Sequence, residues 1–559
     1  MKHFIVLIIS IVSLFAKAYI LNSDVNKDRY KELKLDIWTY NDNLKILQKF
    51  IIKKGFECEI ISENDLDKLK KGDVLFIIDS FAISQKAQNQ IKNFVSNGGK
   101  IVFNFKSAFL NEKGKLTNKT FLEEITHLKQ IAYGIAPKDN VFFVIQHLLS
   151  PIKIKDAKRL EISLYDTIPL FKGKIPDLEF VNYSITEPLI HNKKPLPSGI
   201  LWDGKYKKGG WIYFSFPFYV FSSKDRLKNG WQSVIDSIID YSLKDVAIVK
   251  YPYLKYDKMT FVSEDTEYKY VNFLNFINAL KKYDVNGTAF CVGRLAKLHP
   301  ELMKQAGRLK FLEIGSHSYS HTKLIDQPKE ELSKVEINGN NKLLQKLSNQ
   351  EIVGFRPPRE ETNNKLIDVM ENSSLKYVLA KNLGQLKPKY IGKLMFLSRI
   401  GTDDYQYLME LDWNRTQIIN KMKQEVDYVT SLNGLYTMST HTHLMCYKSN
   451  VKMLEGLLKY IHEKKYPMLK GDDIVKLIYQ VDNIDIKFTK ISQGLSIDIK
   501  NRLNTNIDEF IFRIYFLNQG YNKIRCALKT KLIKYNDNYI DIKVFHIKAN
   551  QKFNLILEK

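Results

Sequence analysis

The segment from Met259 to Thr322 most constrains the fold, because it places a strand that ends in acids close to a pair of histidines. Residues 259–267 begin as a short apolar strand and end abruptly in carboxylates. At their spacing, His317 and His321 can point the same way from one helical turn and reach one metal ion. Two imidazoles, one carboxylate and an open position for water form the ligand set of a hydrolytic zinc site.

The length and the N-terminus indicate an exported protein of several domains. A chain of 559 residues is too long for one hydrophobic core. Residues 1–18 have the pattern of a signal peptide, with an apolar run from Phe4 to Phe15 that is too short for a comfortable membrane span. Ala16-Lys17-Ala18 is a small-x-small cleavage pattern. We therefore expect a soluble chain that starts near Tyr19 and is periplasmic or secreted.

The high net positive charge does not by itself identify the binding partner of the protein. A formal net charge of +25 favours contact with anionic polymers, a cell wall or the surface of a membrane. The lysines are spread along the whole chain, and arginine-rich clusters interleaved with aromatic residues are missing, so we expect no nucleic-acid partner. The four cysteines are far apart in apolar contexts, and we interpret them as buried free thiols. The sequence does not indicate an oligomeric state.

Residues 19–245 have the pattern of a doubly wound α/β domain. Val74–Ile78 form an apolar strand between two acids, followed by an amphipathic helix and another strand. This run resembles class I glutamine amidotransferase-like domains, which place a nucleophilic cysteine directly after such a strand. Here Asp79-Ser80-Phe81 occupies that place. We therefore expect a non-catalytic domain that docks or shapes the enzyme or binds polymer; Ser80 as a nucleophile is the lesser alternative, because it lacks a G-x-S-x-G elbow.

Two further domains follow. From 246 to 480, strands and helices alternate as in a β/α barrel or a distorted barrel, whose active sites lie at the C-terminal ends of the strands. From 481 to 559, short alternating strands separated by Gly and Asn turns predict an all-β sandwich. The sequence therefore predicts a multidomain α/β protein with a C-terminal β-domain, which would serve as a structural lid or as a carbohydrate-binding module.

The central domain resembles the polysaccharide deacetylase (NodB-homology) family of carbohydrate esterases, from Met259 to about Tyr479. The most specific match is Glu-Ile-Gly-Ser-His317-Ser-Tyr-Ser-His321, which resembles the family's His-Ser/Thr-x-x-His motif. The resemblance implies a divalent metal, with Zn²⁺ as our expectation, held by His317, His321 and an aspartate. It also implies an acetylated polysaccharide as the substrate.

The first motif of the family, Thr-Phe-Asp-Asp, supplies a catalytic base and then a metal ligand. The corresponding residues here are Ser263-Glu264-Asp265-Thr266-Glu267, which depart from it. Aligning the adjacent acids makes Glu264 the base and Asp265 the ligand, and this is our primary assignment. A second register, with Asp265 as base and Glu267 as ligand, also fits and remains open.

The remaining motifs complete the predicted site. Gly354-Phe-Arg356-Pro-Pro resembles the Arg-x-Pro motif, whose arginine holds the catalytic carboxylate ionised by a charge-assisted pair. The apolar strand that ends at His441 and His443 resembles the fifth motif, with His441 as general acid and His443 as a supporting or alternative residue. The aspartate that orients this acid is ambiguous between Asp403 or Asp404 and Asp412.

Together these residues predict a metal-dependent hydrolase. The expected reaction removes acetyl groups, N-acetyl of hexosamine above all, from an extracytoplasmic polysaccharide or a cell-wall glycan. The alternative is a carbohydrate-binding protein of the same fold with a degraded catalytic site, which the altered first motif would favour. The identity of the glycan and the choice between N- and O-acetyl remain open.

Overall fold

The architecture was analysed in a computed structural model of the whole chain. The structure describes residues 16–115, 120–133, 141–164, 167–191, 194–195, 198–381, 383–411, 413–492, 494–518, 520–521 and 523–558. Fifteen of the eighteen residues of the predicted signal peptide lie outside these ranges. Ala18 opens the first strand, and the four cysteines are free. None of the described helices combines the length and the apolar character needed to cross a bilayer.

The N-terminal domain is built on one large sheet. Its strands, together with four that form two small pairs outside the sheet, are β1 Ala18–Leu21, β2 Cys58–Ile61, β3 Val74–Ile77, β4 Lys100–Asn104, β5 Lys129–Tyr133, β6 Val141–Gln146, β7 Leu160–Ser163, β8 Pro169–Lys172, β9 Leu178–Val181, β10 Ile190–His191, β11 Lys194–Pro195, β12 Gly199–Tyr206 and β13 Gly209–Phe214. The nine-stranded order is β2-β1-β3-β4-β13-β12-β9-β6-β7. Its helices are α1 Asp24–Glu32, α2 Ile37–Lys53, α3 Gln85–Ser96, α4 Phe121–Thr126, α5 Lys224–Arg226 and α6 Gln232–Lys244.

Local sequence explains where these helices begin. The Asp36 side chain accepts a hydrogen bond from the Trp38 amide at the start of α2, and Ser84 does the same for Ala87 at the start of α3. Gly98, with φ of 102°, follows α3 in a left-handed conformation. The strands from β2 to β13 in the order above are parallel, and the other half of the sheet is antiparallel. The sheet is therefore mixed, whereas the doubly wound pattern predicts a mostly parallel sheet.

The strand β14, Val246–Lys250, pairs with the C-terminal part of the chain. The predicted boundary at residue 246 places the same residues at the start of the central domain. In the structure β14 pairs antiparallel with a C-terminal strand, with Val246 opposite Phe516 and Lys250 opposite Phe512. Local pattern misses this pairing because the two partners are far apart in the chain.

The central domain contains a second mixed sheet. Its strands are β15 Met259–Thr266, β16 Gly287–Cys291, β17 Leu312–Ser316, β18 Gly354–Phe355, β19 Tyr377–Ala380, β20 Lys389–Ile391, β21 Leu394–Ser398 and β22 Leu435–His441. The order is β20-β21-β19-β18-β17-β16-β15-β22, in which only the β20–β21 pair is antiparallel. Its helices are α7 Phe273–Tyr283, α8 Gly293–Ala296, α9 Pro300–Gly307, α10 Lys329–Glu331, α11 Asn338–Ser348, α12 Asn364–Glu371, α13 Arg415–Ser431, α14 Val451–Glu463 and α15 Gly471–Asp482.

The two ends of this sheet approach each other. The amide of Ile400, just beyond β21, donates to Oγ1 of Thr437 in β22 at 2.7 Å. The amide of Gly401 donates to the Thr437 carbonyl at 2.8 Å. The sheet is therefore strongly curved, and the carboxyl ends of its parallel strands surround one opening.

The C-terminal domain consists of two four-stranded sheets. The strands are β23 Ile484–Ile491, β24 Gly494–Asn501, β25 Ile507–Phe516, β26 Lys523–Cys526, β27 Thr530–Tyr535, β28 Tyr539–Ile547 and β29 Lys552–Glu558. One sheet has the order β14-β25-β28-β27 and the other β23-β24-β29-β26. Inward side chains of both sheets, such as Ile497 and Phe512, belong to one hydrophobic cluster.

Candidate active site

The candidate site lies at the carboxyl ends of four parallel strands of the central domain. Asp265 is near the end of β15, His317 follows β17, Arg356 follows β18, and His441 ends β22. Parallel strands bring their carboxyl ends to the same edge of a sheet, so residues far apart in the chain meet there. The predicted motifs therefore converge because each one terminates a strand.

Asp265 and Glu267 face the site, and Glu264 faces away from it. Side chains alternate along β15, so Glu264 and Thr266 share the opposite side. Thr266 Oγ1 donates to Glu264 Oε2 at 2.8 Å, and burial raises the pKa of Glu264 to about 8. The geometry therefore favours the second register, with Asp265 as base and Glu267 as ligand, over the primary assignment of Glu264 as base and Asp265 as ligand.

Glu267, His317 and His321 form the candidate metal centre. One potential ligand atom of each lies within 4.8 Å of the others. His321 Nε2 is 2.6 Å from Glu267 Oε2. Burial would raise the pKa of Glu267, but the His321 contact and the neighbouring imidazoles lower it to about 2, so this carboxyl group is anionic. The carboxylate that groups with the two histidines is thus Glu267, and not the predicted Asp265.

The orientation of His317 suits a metal ligand. Its Nδ1 is 2.7 Å from the carbonyl oxygen of Arg356, so the ring donates there and leaves the Nε2 lone pair available. Burial lowers the pKa of His317 to about 4, which keeps the ring neutral. A neutral imidazole with its second nitrogen tied to a carbonyl is the usual arrangement of a ligating histidine.

The loop between the two histidines is not the helical turn that the spacing suggested. Ser318 and His321 have φ of 63° and 58°, which lie in the left-handed region. The Glu336 carboxylate accepts hydrogen bonds of 3.0 Å from the amides of Tyr319 and Ser320 and so holds the loop. The sequence does not reveal the role of Glu336, because a single glutamate within a helical run has no distinctive local signal.

Arg356 holds Asp265, as the third motif predicted for the catalytic carboxylate. Its Nε lies 2.6 Å from Asp265 Oδ2, and its Nη2 lies 3.1 Å from Glu360. Arg399 Nη2 donates to the other oxygen of Glu360 at 2.8 Å. Burial would raise the pKa of Glu360, but Arg356 and then Arg399 lower it to about 2. Glu360 and Arg399 were also missed, because their pairing is a tertiary contact.

His441 is oriented by Asp404. Its Nδ1 lies 2.5 Å from Asp404 Oδ1, and its Nε2 lies 3.5 Å from Asp265 Oδ2. Burial alone would lower the pKa of His441, but Asp404 and then Asp265 raise it to about 10. The structure therefore selects Asp404 among the candidates. Asp403 instead contacts Arg399 at 3.4 Å, and Asp412 lies outside the described residues.

His443 lies at the rim beside Tyr268. Its Nδ1 is 3.4 Å from Glu267 Oε1, and its ring packs edge-on against the Tyr268 ring at 5.4 Å. Tyr268 also packs edge-on against His321 at 5.9 Å. Because 51% of Tyr268 is exposed, its ring borders the opening above the metal centre. Tyr268 is a further residue that motif comparison did not reveal.

Comparison with known proteins identifies the family of this region. A family model described as polysaccharide deacetylase matches residues 271–378. This span contains His317, His321 and Arg356. The amidotransferase-like resemblance of the N-terminal domain stays a prediction. The search of curated proteins finds no match.

Several solved structures are similar to the chain over about two-fifths of its length. The peptidoglycan deacetylase PdaC from Bacillus subtilis is 19% identical, with 40% of this chain and 93% of that chain covered and a TM-score of 0.30. A family 4 carbohydrate esterase from Bacillus anthracis is 20% identical, with 40% and 86% covered and a TM-score of 0.29.

A CE4 family pseudoenzyme, also from Bacillus anthracis, is 15% identical, with a TM-score of 0.29. The match covers 39% of this chain and 65% of the pseudoenzyme. The matched family model lies inside the region that carries the site residues described above. By the match of the family model, residues 271–378 of this chain belong to a polysaccharide deacetylase domain.

Proposed function

We propose that the protein is a metal-dependent polysaccharide deacetylase. It removes acetyl groups, principally the N-acetyl group of hexosamines, from an extracytoplasmic polysaccharide or cell-wall glycan. The observation that carries this proposal is the position of Asp265, which is paired with Arg356 and lies beside the Glu267, His317 and His321 cluster. A base next to a metal centre is what hydrolysis of an acetyl group requires.

The donor set fits a divalent metal, and Zn²⁺ is the ion we propose. Glu267, His317 and His321 would hold it, since two imidazoles and one carboxylate form a three-protein-ligand set of catalytic zinc sites. The hydrogen bond from His317 Nδ1 to the Arg356 carbonyl supports this assignment. When bound, the metal supplies Lewis-acid polarisation of the acetyl carbonyl and of water.

The residues of the chain divide the proton transfers between them. Asp265 accepts a proton from the attacking water, and the Arg356 guanidinium holds the direction of its carboxylate. His441 donates a proton from Nε2 to the departing amine, while Asp404 holds Nδ1. The raised pKa of His441 keeps that proton in place at neutral pH until it is needed.

The setting of this activity is part of the same proposal. The signal-like residues 1–18 support export to the periplasm or beyond the cell. The basic surface suits transient contact with an anionic wall or membrane surface. The partner is an acetylated polysaccharide.

Acetate release from a panel of acetylated glycans, with and without chelator, tests the proposal. We expect release from at least one N-acetylated glycan, with loss on chelation and recovery with Zn²⁺. His317→Ala is expected to lose both activity and bound metal. His462→Ala, at an exposed histidine in α14, is the matched control and should retain both. Metal binding without acetate release from any glycan would favour a carbohydrate-binding protein of the same fold.

A further inference from the structure

A second cavity, outside the deacetylase site, lies in the N-terminal domain. Its volume is about 510 Å³, within the range of small-molecule sites. The lining residues follow the carboxyl ends of β1, β3, β4 and β13, and they include Tyr30, Asp79, Phe105 and Tyr219. The chain order makes β1 a switch point, because β2 lies on one side of it and β3 on the other. In open α/β sheets this crevice is where ligands bind.

The backbone and side chain of Asp79 are both held in place at the floor of this cavity. Asp79 directly follows β3, and its φ of 49° is unusual for a residue other than glycine. Its carboxylate accepts hydrogen bonds from Asn43 Nδ2 at 3.0 Å, Asn104 Nδ2 at 2.7 Å and the Phe218 amide at 3.1 Å. Unusual conformations that persist under such tight control often mark ligand sites.

Aromatic rings form one continuous wall of the cavity. The Tyr30 and Phe81 rings are stacked, with centroids 5.3 Å apart and an interplanar angle of 15°. Phe105 meets Phe81 edge-on at 5.7 Å. Phe81 and Tyr219 are only partly buried, although both line the cavity. Part of each ring is therefore available to a ligand.

We propose that this cavity binds a saccharide unit of the polymer on which the deacetylase site acts; the choice of occupant thus rests on the proposed function. The rim offers acceptors, because the carboxylate of the exposed Asp36 takes one hydrogen bond on each oxygen, from the Trp38 amide and Thr39 Oγ1, and each oxygen keeps a lone pair for a hydroxyl donor of a ligand. The wall offers aromatic faces, which require a ligand with C–H faces. A pyranose ring has both. The N-terminal domain thereby keeps the polymer attached during deacetylation.

Hydrogen–deuterium exchange of the full chain tests the pocket with the N-acetylglucosamine pentamer as probe. The experiment uses the His317→Ala background, so that the probe stays intact. We expect slower exchange in residues 30–43, 79–81, 105–110 and 217–219 on addition of the pentamer. Exchange that changes only in the central domain, or nowhere, overturns the proposal.

Two variants near the cavity separate binding from folding. Thr39→Trp adds bulk at an exposed lining residue, so it fills the cavity without removing a core side chain. It should weaken protection of the pocket, with at least about a tenfold higher half-saturating pentamer concentration. Trp38→Ala, at a neighbouring ring that is 76% exposed and outside the lining, should leave protection unchanged. If the pentamer protects the pocket equally in Thr39→Trp and Trp38→Ala, the proposed saccharide site is overturned.

Acetate release by the otherwise unmodified chain distinguishes this proposal from the proposed function. If acetate is released but the pocket residues show no protection from exchange, the saccharide-site proposal is overturned and the deacetylase proposal stands. Protection of the pocket without release from any glycan supports the pocket as a saccharide site and counts against the deacetylase. The two proposals therefore fail separately.

Discussion

The guanidinium Nε of Arg356 lies 2.6 Å from Oδ2 of Asp265, and both side chains are almost completely buried. A buried carboxylate in such a charge-assisted pair has a fixed direction. Since Glu267 is the carboxylate that groups with His317 and His321, Asp265 is the carboxylate that we propose as the base. The altered first motif is therefore compatible with catalysis, with the base and the ligand two residues apart.

Asp265→Asn should abolish most activity while keeping the metal. Loss of a general base removes a rate factor on the order of 10² to 10⁴. The metal ligands remain, so bound zinc, measured by elemental analysis after dialysis, should match the unmodified protein. Acetate release under identical conditions provides the activity.

Glu264→Gln is the matched comparison for Asp265→Asn. Because the pKa of Glu264 is about 8, its side chain is largely neutral at pH 7, and glutamine resembles the neutral acid. We expect activity within a few-fold of the unmodified protein. Loss of activity in Glu264→Gln, together with retention in Asp265→Asn, would reinstate the adjacent-acid register.

Glu267→Gln should weaken zinc binding. The substitution removes one of the three proposed ligands, and it removes the anionic charge that favours a cation. We expect a loss larger than the roughly 10- to 100-fold that follows removal of an outer-sphere partner. Titration of the metal-free protein with Zn²⁺, followed by the rise in melting temperature, measures it. A rise equal to that of Asp265→Asn would remove Glu267 from the ligand set.

Asp404→Asn should move the alkaline limb of the kcat–pH profile to lower pH. Burial lowers the pKa of His441, and Asp404 is the principal group that raises it. Without that negative charge the pKa falls, so the general acid loses its proton at a lower pH. Asp403→Asn is the control, since Asp403 contacts Arg399 and not Nδ1 of His441. Unchanged limbs in both variants would argue against His441 as the acid.

The sequence predicted the site where each residue belongs to a motif that ends a strand. His317, Arg356 and His441 each follow or end a parallel strand, so their convergence depends only on a correct reading of strand direction. For the same reason Asp265 was expected in the site in either register. The α/β character of the first two domains followed from periodicity in the same way.

The remaining features depend on contacts that local pattern does not encode. The register of the acids depends on β15 continuing in extended form through Thr266, which turns Glu264 away. Glu336 and Glu360 act through partners brought near by the fold, and ordinary charged residues have no periodic signal. The pairing of β14 with β25 likewise joins distant segments, so Val246–Lys250 was assigned to the central domain.

A cavity of about 1,050 Å³ at the junction of the three domains presents several lysines to one another. Burial lowers the pKa of Lys153 to about 7, with Lys387 and then Lys250 acting in the same direction. An amine that is harder to protonate in the folded state than in the unfolded state costs stability wherever it is charged.

Lys153→Met should therefore stabilise the protein, most strongly at pH 7 and below. In that range the amine is protonated in both the folded and the unfolded state, so the folded state bears the full cost of the buried charge. Between about pH 7 and 10.5 the amine is mostly neutral in the folded state and protonated in the unfolded state, so this cost falls as pH rises. We expect a gain of roughly 1–3 kcal/mol in the free energy of unfolding at pH 6, shrinking towards pH 10. Urea unfolding at both pH values measures it, with exposed Lys155→Met as the control. A gain independent of pH would show that the burial of methionine, and not the charge of Lys153, is responsible.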